Sequence, residues 1–110
     1  EGQISGGIAF GLGQALTENI LIEKGRTLNP NFTDYLIPTS ADIPEVQTII
    51  VEENEPSGPF GAKFVGEPPS LPTAPAIINA IYDAVGGRIE DLPATPEKIL
   101  QALKEKKQKP

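Results

Sequence analysis

Glycine and proline dictate most of what this chain can fold into. Of its 110 residues, 11 are Gly and 12 are Pro, and they are unevenly spread. Gly6, Gly7, Gly11 and Gly13 fall inside one segment, Gly2 to Asn19, whose Ile4, Ile8, Leu12 and Leu16 recur every four residues. That period predicts an amphipathic helix, with Ala9 and Ala15 beside its apolar stripe. Each interior Gly costs a helix ~1 kcal/mol relative to Ala. Four of them imply that a backbone or a ligand comes very close. The second concentration is Glu55 to Pro72, reading EPSGPFGAKFVGEPPSLP. An irregular stretch of that length in a small domain is functional or disordered. Hydrophobic runs on either side argue against wholesale disorder.

The remaining segments read more simply. Ile20 to Glu23 is a short strand, turned by Lys24-Gly25. Leu28 to Ser40 carries Asn29-Pro30-Asn31 and Ile37-Pro38 and should be extended and irregular. Val46 to Glu53, rich in β-branched residues, is the best strand in the chain. A helix follows the long loop, with Thr73 as its cap and Pro75 in its first turn. Ile77, Ile81 and Val85 line its apolar face beside Ile78 and Tyr82, and Gly86-Gly87 stops it. Thr95-Pro96-Glu97 opens a last helix that buries Ile99, Leu100 and Leu103. Lys104, Lys106, Lys107 and Lys109 crowd its end as a solvated, fraying terminus. No internal repeat or second domain is visible. Residues 1–110 form one unit of α+β class: two or three helices on a small sheet that includes Val46 to Glu53, with the Gly/Pro-rich loop along one edge.

Absent residue types narrow the chemistry. Without Cys there is no disulfide, thiolate nucleophile or thiolate metal site. Without His there is no Ser-His-Asp triad and no imidazole base or ligand. The net charge of −6 is a poor match for nucleic acid. No apolar run approaches the ~20 residues that span a bilayer, and no signal peptide is visible. A cytoplasmic setting is expected. The chain begins at Glu1 and contains no Met, as expected of a fragment or a processed product.

Glu67 is the sharpest candidate for chemistry. Gly66 before it removes a side chain, so a ligand or backbone can approach. Pro68 and Pro69 stiffen the chain after it and should push Glu67 out of the helical region. A carboxylate held in that way suits a general base; the plain alternative is an exposed turn. Lys63 is near enough to pair with it, or is simply solvated. Gly11-Leu12-Gly13 is not a dinucleotide fingerprint, because Leu16 stands where the third glycine would be and no strand precedes it. Either the Gly-rich helix brings Gln3 or its amides against a bulky cofactor, or its glycines serve tight helix-on-sheet packing. Packing is the simpler account of Gly11 and Gly13. Asn29, Asn31 and Asp34 follow no metal-loop spacing and read as turn residues. Tyr35 and Tyr82 read as packing residues.

Several long motifs carry a resemblance. Gly2-Gln3-Ile4-Ser5-Gly6-Gly7 through Gly11-Leu12-Gly13-Gln14-Ala15-Leu16 resembles the GQIxGGxxxGxGxAL segment of the molybdenum hydroxylases, the xanthine dehydrogenase and aldehyde oxidase family. Leu28 to Thr39 resembles its LNPNFxDYKIPT stretch, with Leu36 where Lys is common, and Asp42-Ile43-Pro44 follows. Gly58 to Pro69 resembles GPFGAKGVGEPP, with Phe64 where Gly or Ala is usual. Pro72 to Ile77, Asp91-Leu92-Pro93 and Thr95 to Lys98 continue the likeness in order.

The resemblance implies a C-terminal portion of the molybdopterin-binding large subunit. It makes Glu67 the base that takes a proton at the molybdenum centre, so that oxygen from water reaches an aldehyde or an N-heterocycle such as a purine. It puts Gln3 beside the cofactor and the Gly66 backbone near the metal centre. The metal is held by the pterin dithiolene, so no side chain here is a metal ligand. The implied cofactor is molybdenum–molybdopterin, plain or as the cytosine dinucleotide. Iron–sulfur clusters and FAD belong to partner domains or subunits. The implied partners are the remainder of the large subunit, those electron-transfer subunits and a small-molecule substrate, within an oligomer. Phe64 could narrow the pocket. The isolated chain is expected to be inactive. A second reading keeps the family fold in a non-catalytic scaffold or interaction subunit.

Overall fold

The computed structural model describes residues 1–108. Helix α1 spans Gly2–Leu16 and is shorter than the sequence predicts. It ends because Thr17 leaves helical geometry, while the N–H groups of Thr17 and Glu18 both reach the Gly13 carbonyl. Strands β1 (Ile22–Glu23) and β2 (Arg26–Thr27) form an antiparallel hairpin. Lys24 and Gly25 have φ of 49° and 79°, the two left-handed residues that a tight hairpin turn of this length needs. Asn29, only 5% exposed, pins the hairpin to the end of α1. Its Oδ1 accepts the Leu21 N–H at 2.8 Å and its Nδ2 donates to the Asn19 carbonyl at 2.6 Å.

Helix α2 is Thr73–Val85 and α3 is Pro96–Gln108. Gly86, with φ of 71°, terminates α2 and donates its N–H to the Tyr82 carbonyl. Thr95 accepts the Lys98 N–H on its hydroxyl and starts α3, as the sequence predicts. Thr73 does not cap α2. Its hydroxyl donates instead to the Pro69 carbonyl at 2.9 Å, tying the helix to the turn before it. Leu100 is exposed, and Ala102 is buried. Lys109 lies outside the described residues.

The expected strand at Val46–Glu53 is absent: among the described residues, this segment makes no main-chain hydrogen bond. A strand needs a neighbour for its main-chain groups, and nothing in residues 1–108 supplies one. The helices therefore pack on each other and not on a sheet. Helix α1 meets α2 and the 3-10 turn Pro68–Ser70, and α2 also meets α3. The packing face of α1 is its glycine face, with Gly7, Gly11, Gly13 and Ala15 buried. The aliphatic stripe Ile4, Ile8, Leu12 and Leu16 is only half-buried. A Cβ at Gly7 would lie 2.6 Å from the Pro69 Cβ and 3.0 Å from the Ser70 nitrogen, and one at Gly11 would strike Thr73. Close backbone approach does account for these glycines, but to a turn and a helix end and not to a sheet.

The core is correspondingly small. Its buried hydrophobic residues are Ala15, Ala74, Ala94 and Ala102. The Ala94 N–H donates to the Ala15 carbonyl at 2.6 Å, which fastens the connector after α2 to the end of α1. Tyr35 and Tyr82 are not core residues either. Tyr35 donates to the Glu18 carboxylate at 2.5 Å, and this bond holds its phenol above the usual range. Tyr82 carries the Arg88 guanidinium 4.4 Å over its ring. No helix among the described residues is long and apolar enough to cross a membrane.

Candidate functional site

One cleft, of about 480 Å³, gathers the sequence-predicted site residues. Its floor is one side of α1: Gly2, Gln3, Gly6, Gly7 and Phe10. Residues spaced 3, 6, 7 and 10 share a helix face, so this side follows from helical geometry alone. Its other wall is the loop residues Gly66, Glu67 and Ser70. The two walls meet because Gly7 lets the Pro69–Ser70 backbone sit directly on the helix.

Glu67 departs from the local expectation. Its φ and ψ of −78° and −28° are helical, despite Pro68. The preference of a pre-proline residue for extended backbone is overcome by two bonds to its carbonyl. The Ser70 N–H donates at 3.0 Å and the Ser70 hydroxyl at 2.8 Å. Glu67 thus opens the Pro68–Ser70 turn, and its exposed carboxylate has no hydrogen-bond or ion-pair partner among the described residues. Lys63 does not pair with it; Lys63 reaches Glu53 at 2.6 Å. Gln3 is also exposed, and its amide is unbonded among the described residues.

Phe64 is elsewhere. It lines a larger hollow, about 790 Å³, between residues 49–54 and 60–65. Asn31 and Asp34 stay in their turn, where Asn31 Oδ1 accepts the Thr33 N–H at 3.0 Å. No group of metal-ligating side chains occurs among the described residues. Sequence reasoning did not single out Gly2, Phe10 or Ser70 as lining residues. The signal for Phe10 was present in its helical spacing from Gln3, and Gly2 is the chain neighbour of Gln3. For Ser70 there was none, because its place depends on how the loop folds back.

The cleft fits the group that the resemblance implies. Gly7 is crowded, but Gly2, Gly6 and Gly66 have nothing within 4 Å of where a Cβ would stand. These three open positions make a smooth wall that a bulky planar group can approach. The first turn of α1 has no side-chain cap, and unpaired N–H groups at a helix start suit phosphate oxygens. A free carboxamide and a free carboxylate supply a donor–acceptor and a proton acceptor at the rim.

Comparison with known proteins agrees. Residues 1–44 match the molybdopterin cofactor-binding domain family. The chain is 44% identical over 103 residues to the xanthine dehydrogenase molybdenum-binding subunit of Escherichia coli O157:H7, covering 92% of this chain and 14% of that protein. It is 47% identical over 107 residues to the aldehyde oxidoreductase of Megalodesulfovibrio gigas, covering 94% of this chain and 11% of that protein. Among solved structures, quinoline 2-oxidoreductase from Pseudomonas putida 86 superposes with a TM-score of 0.86 at 34% identity, over 94% of this chain and 14% of that one. The chain therefore spans only about one-ninth to one-seventh of the length of these curated relatives. An α+β segment with this cleft, matched along nearly its whole length by xanthine dehydrogenase and aldehyde oxidoreductase subunits, belongs to the molybdenum hydroxylase family and is a piece of its molybdenum-binding subunit.

Proposed function

We propose that this segment supplies the proton acceptor of a molybdenum hydroxylase, and that Glu67 is that acceptor. When bound, the molybdenum–pterin group supplies oxygen transfer and two-electron redox chemistry. This chain's residues do the rest of the local work. Gln3 and the open glycines Gly2, Gly6 and Gly66 receive the cofactor along the start of α1. Glu67 takes a proton as oxygen derived from water is added to an aldehyde or an N-heterocycle. Ser70 holds the Glu67 backbone in the turn that forms this cleft wall. Iron–sulfur clusters and FAD, held by partner domains or subunits, would supply the electron-accepting chemistry. The observation that carries this reading is the meeting of Gln3, Gly66 and an unpartnered Glu67 carboxylate around one cleft.

A carboxylate can accept a proton at neutral pH and its amide isostere cannot. In the complete enzyme, Glu67→Gln should therefore keep its molybdenum content and lose turnover by roughly 10²–10⁴-fold. Metal analysis beside steady-state kinetics reads both quantities. Turnover near that of the unmodified enzyme would remove Glu67 from the base role.

A further inference from the structure

Phe64 lies outside the cleft, yet the cleft is not without a ring. Among the described residues, Phe10 is the one apolar side chain that lines it; the others are glycines, Gln3, Glu67 and Ser70. Long helical side chains lean toward the helix N-terminus, over the residues three and four positions back. For Phe10 those are Gly7 and Gly6. Neither has a side chain to screen the ring, and at Gly6 there is open space where a Cβ would stand. Phe10 is 67% exposed, although Gly7 and Gly11 on the same helix are buried. A large ring is thus set over the bare backbone of α1, beside the cleft and outside the small alanine core.

Its place along the helix separates this ring from the cofactor end of the cleft. Gln3 and the uncapped first turn lie at one end of the floor. Phe10 lies seven residues on, about 10 Å along the helix axis. Between them, the Pro68–Ser70 turn that Glu67 opens rests on Gly7. A protein segment filling this space would bury the unpartnered Glu67 carboxylate, which costs the hydration of a charge. A small uncharged molecule can cover the ring and leave that carboxylate free to take a proton.

Resting on the role proposed above for this cleft, we infer that Phe10 is a specificity-determining residue of the site. Its ring stacks a flat, unsaturated substrate ring, so that aromatic aldehydes and N-heterocycles are taken in preference to aliphatic aldehydes. Two features select a flat ring. An exposed aromatic side chain gains from offset or edge-to-face contact with a second ring, beyond what burial of area gives. The glycines beside Phe10 present no projecting side chains, and a flat molecule makes closer contact with such a wall than a puckered one does. The Glu67 carboxylate in the same cleft disfavours an anionic ring.

Equilibrium binding to the complete, molybdenum-loaded enzyme tests this with benzamide and cyclohexanecarboxamide. These are neutral carboxamides of similar size, one flat and one puckered. The unmodified enzyme should bind benzamide about three- to tenfold more tightly, the worth of one aromatic pair. Phe10→Leu, which keeps an apolar side chain and removes the ring, should abolish that preference, and Phe10→Tyr should keep it. Both variants should retain their molybdenum. Equal affinity for the two amides in the unmodified enzyme, binding of neither, or a preference that survives Phe10→Leu overturns the inference. So does a preference lost in Phe10→Tyr. Loss of molybdenum from Phe10→Leu also overturns it, because the ring then serves the cofactor or the fold and not the substrate. Binding of these amides involves no proton transfer, so failure here leaves the Glu67 base assignment to its own turnover test.

Discussion

Gly6 and Gly7 are adjacent in sequence and opposite in consequence. A methyl group at Gly7 meets Pro69 and the Ser70 backbone; at Gly6 it meets open space. Alanine gains a helix ~1 kcal/mol over glycine at either place. At Gly7 that gain is outweighed, because α1 and the Pro68–Ser70 turn must part to admit the methyl. Gly7→Ala should therefore destabilise the complete subunit by ~1–3 kcal/mol, seen as a lower melting temperature. Gly6→Ala should leave the melting temperature unchanged or raise it. If the cleft receives the pterin group, the same variant should be purified with less molybdenum. A Gly6→Ala protein with full metal content would show that the group does not rest against α1 there.

At the scale of elements, the hairpin β1–β2 depends on one buried side chain. Asn29 replaces the strand partners that so short a hairpin lacks, bonding the Leu21 N–H and the Asn19 carbonyl at once. Asn29→Ala leaves both groups without their partner, at a cost of ~1–3 kcal/mol. Lys24 and Arg26 sit in the hairpin, so limited trypsin digestion is a local probe. Cleavage there should quicken in the variant before cleavage elsewhere; unchanged cleavage would mean the turn holds the hairpin alone. Local chemistry was a good guide to such features. Lys24-Gly25, Gly86 and Thr95-Pro96 each act within four residues of themselves. The same reading erred at Glu67, whose backbone obeys Ser70 more than Pro68, and at Thr73, whose hydroxyl turns back to Pro69.

The whole molecule is far more open than a self-sufficient domain. Its radius of gyration is 17.8 Å, whereas a compact chain of this length has one of about 13 Å. Its buried hydrophobic residues are alanines, while Phe10, Phe32, Phe60 and Phe64 are all exposed. A surface this apolar calls for cover. Expressed alone, the 110 residues should self-associate in sedimentation velocity and hold no molybdenum. A stable monomer of compact dimensions would contradict the exposure described above. The same openness explains why Val46–Glu53 reads as a strand and is not paired.

What the sequence by itself determined are the features governed by short-range sterics and bonding: three helices, the glycine stop of α2, the Thr95 start of α3, a two-residue turn, and a glutamate set between a glycine and two prolines. Its long motifs also determined the family. Only the tertiary structure decided that the glycine side of α1, and not its aliphatic stripe, is the packing face. It likewise decided that Lys63 belongs to Glu53, and that Gln3, Gly66 and Glu67 border one cleft. Those outcomes depend on which distant segments come within a few ångströms of each other. Backbone preferences and side-chain periodicity act over a few residues and carry no information about that distance.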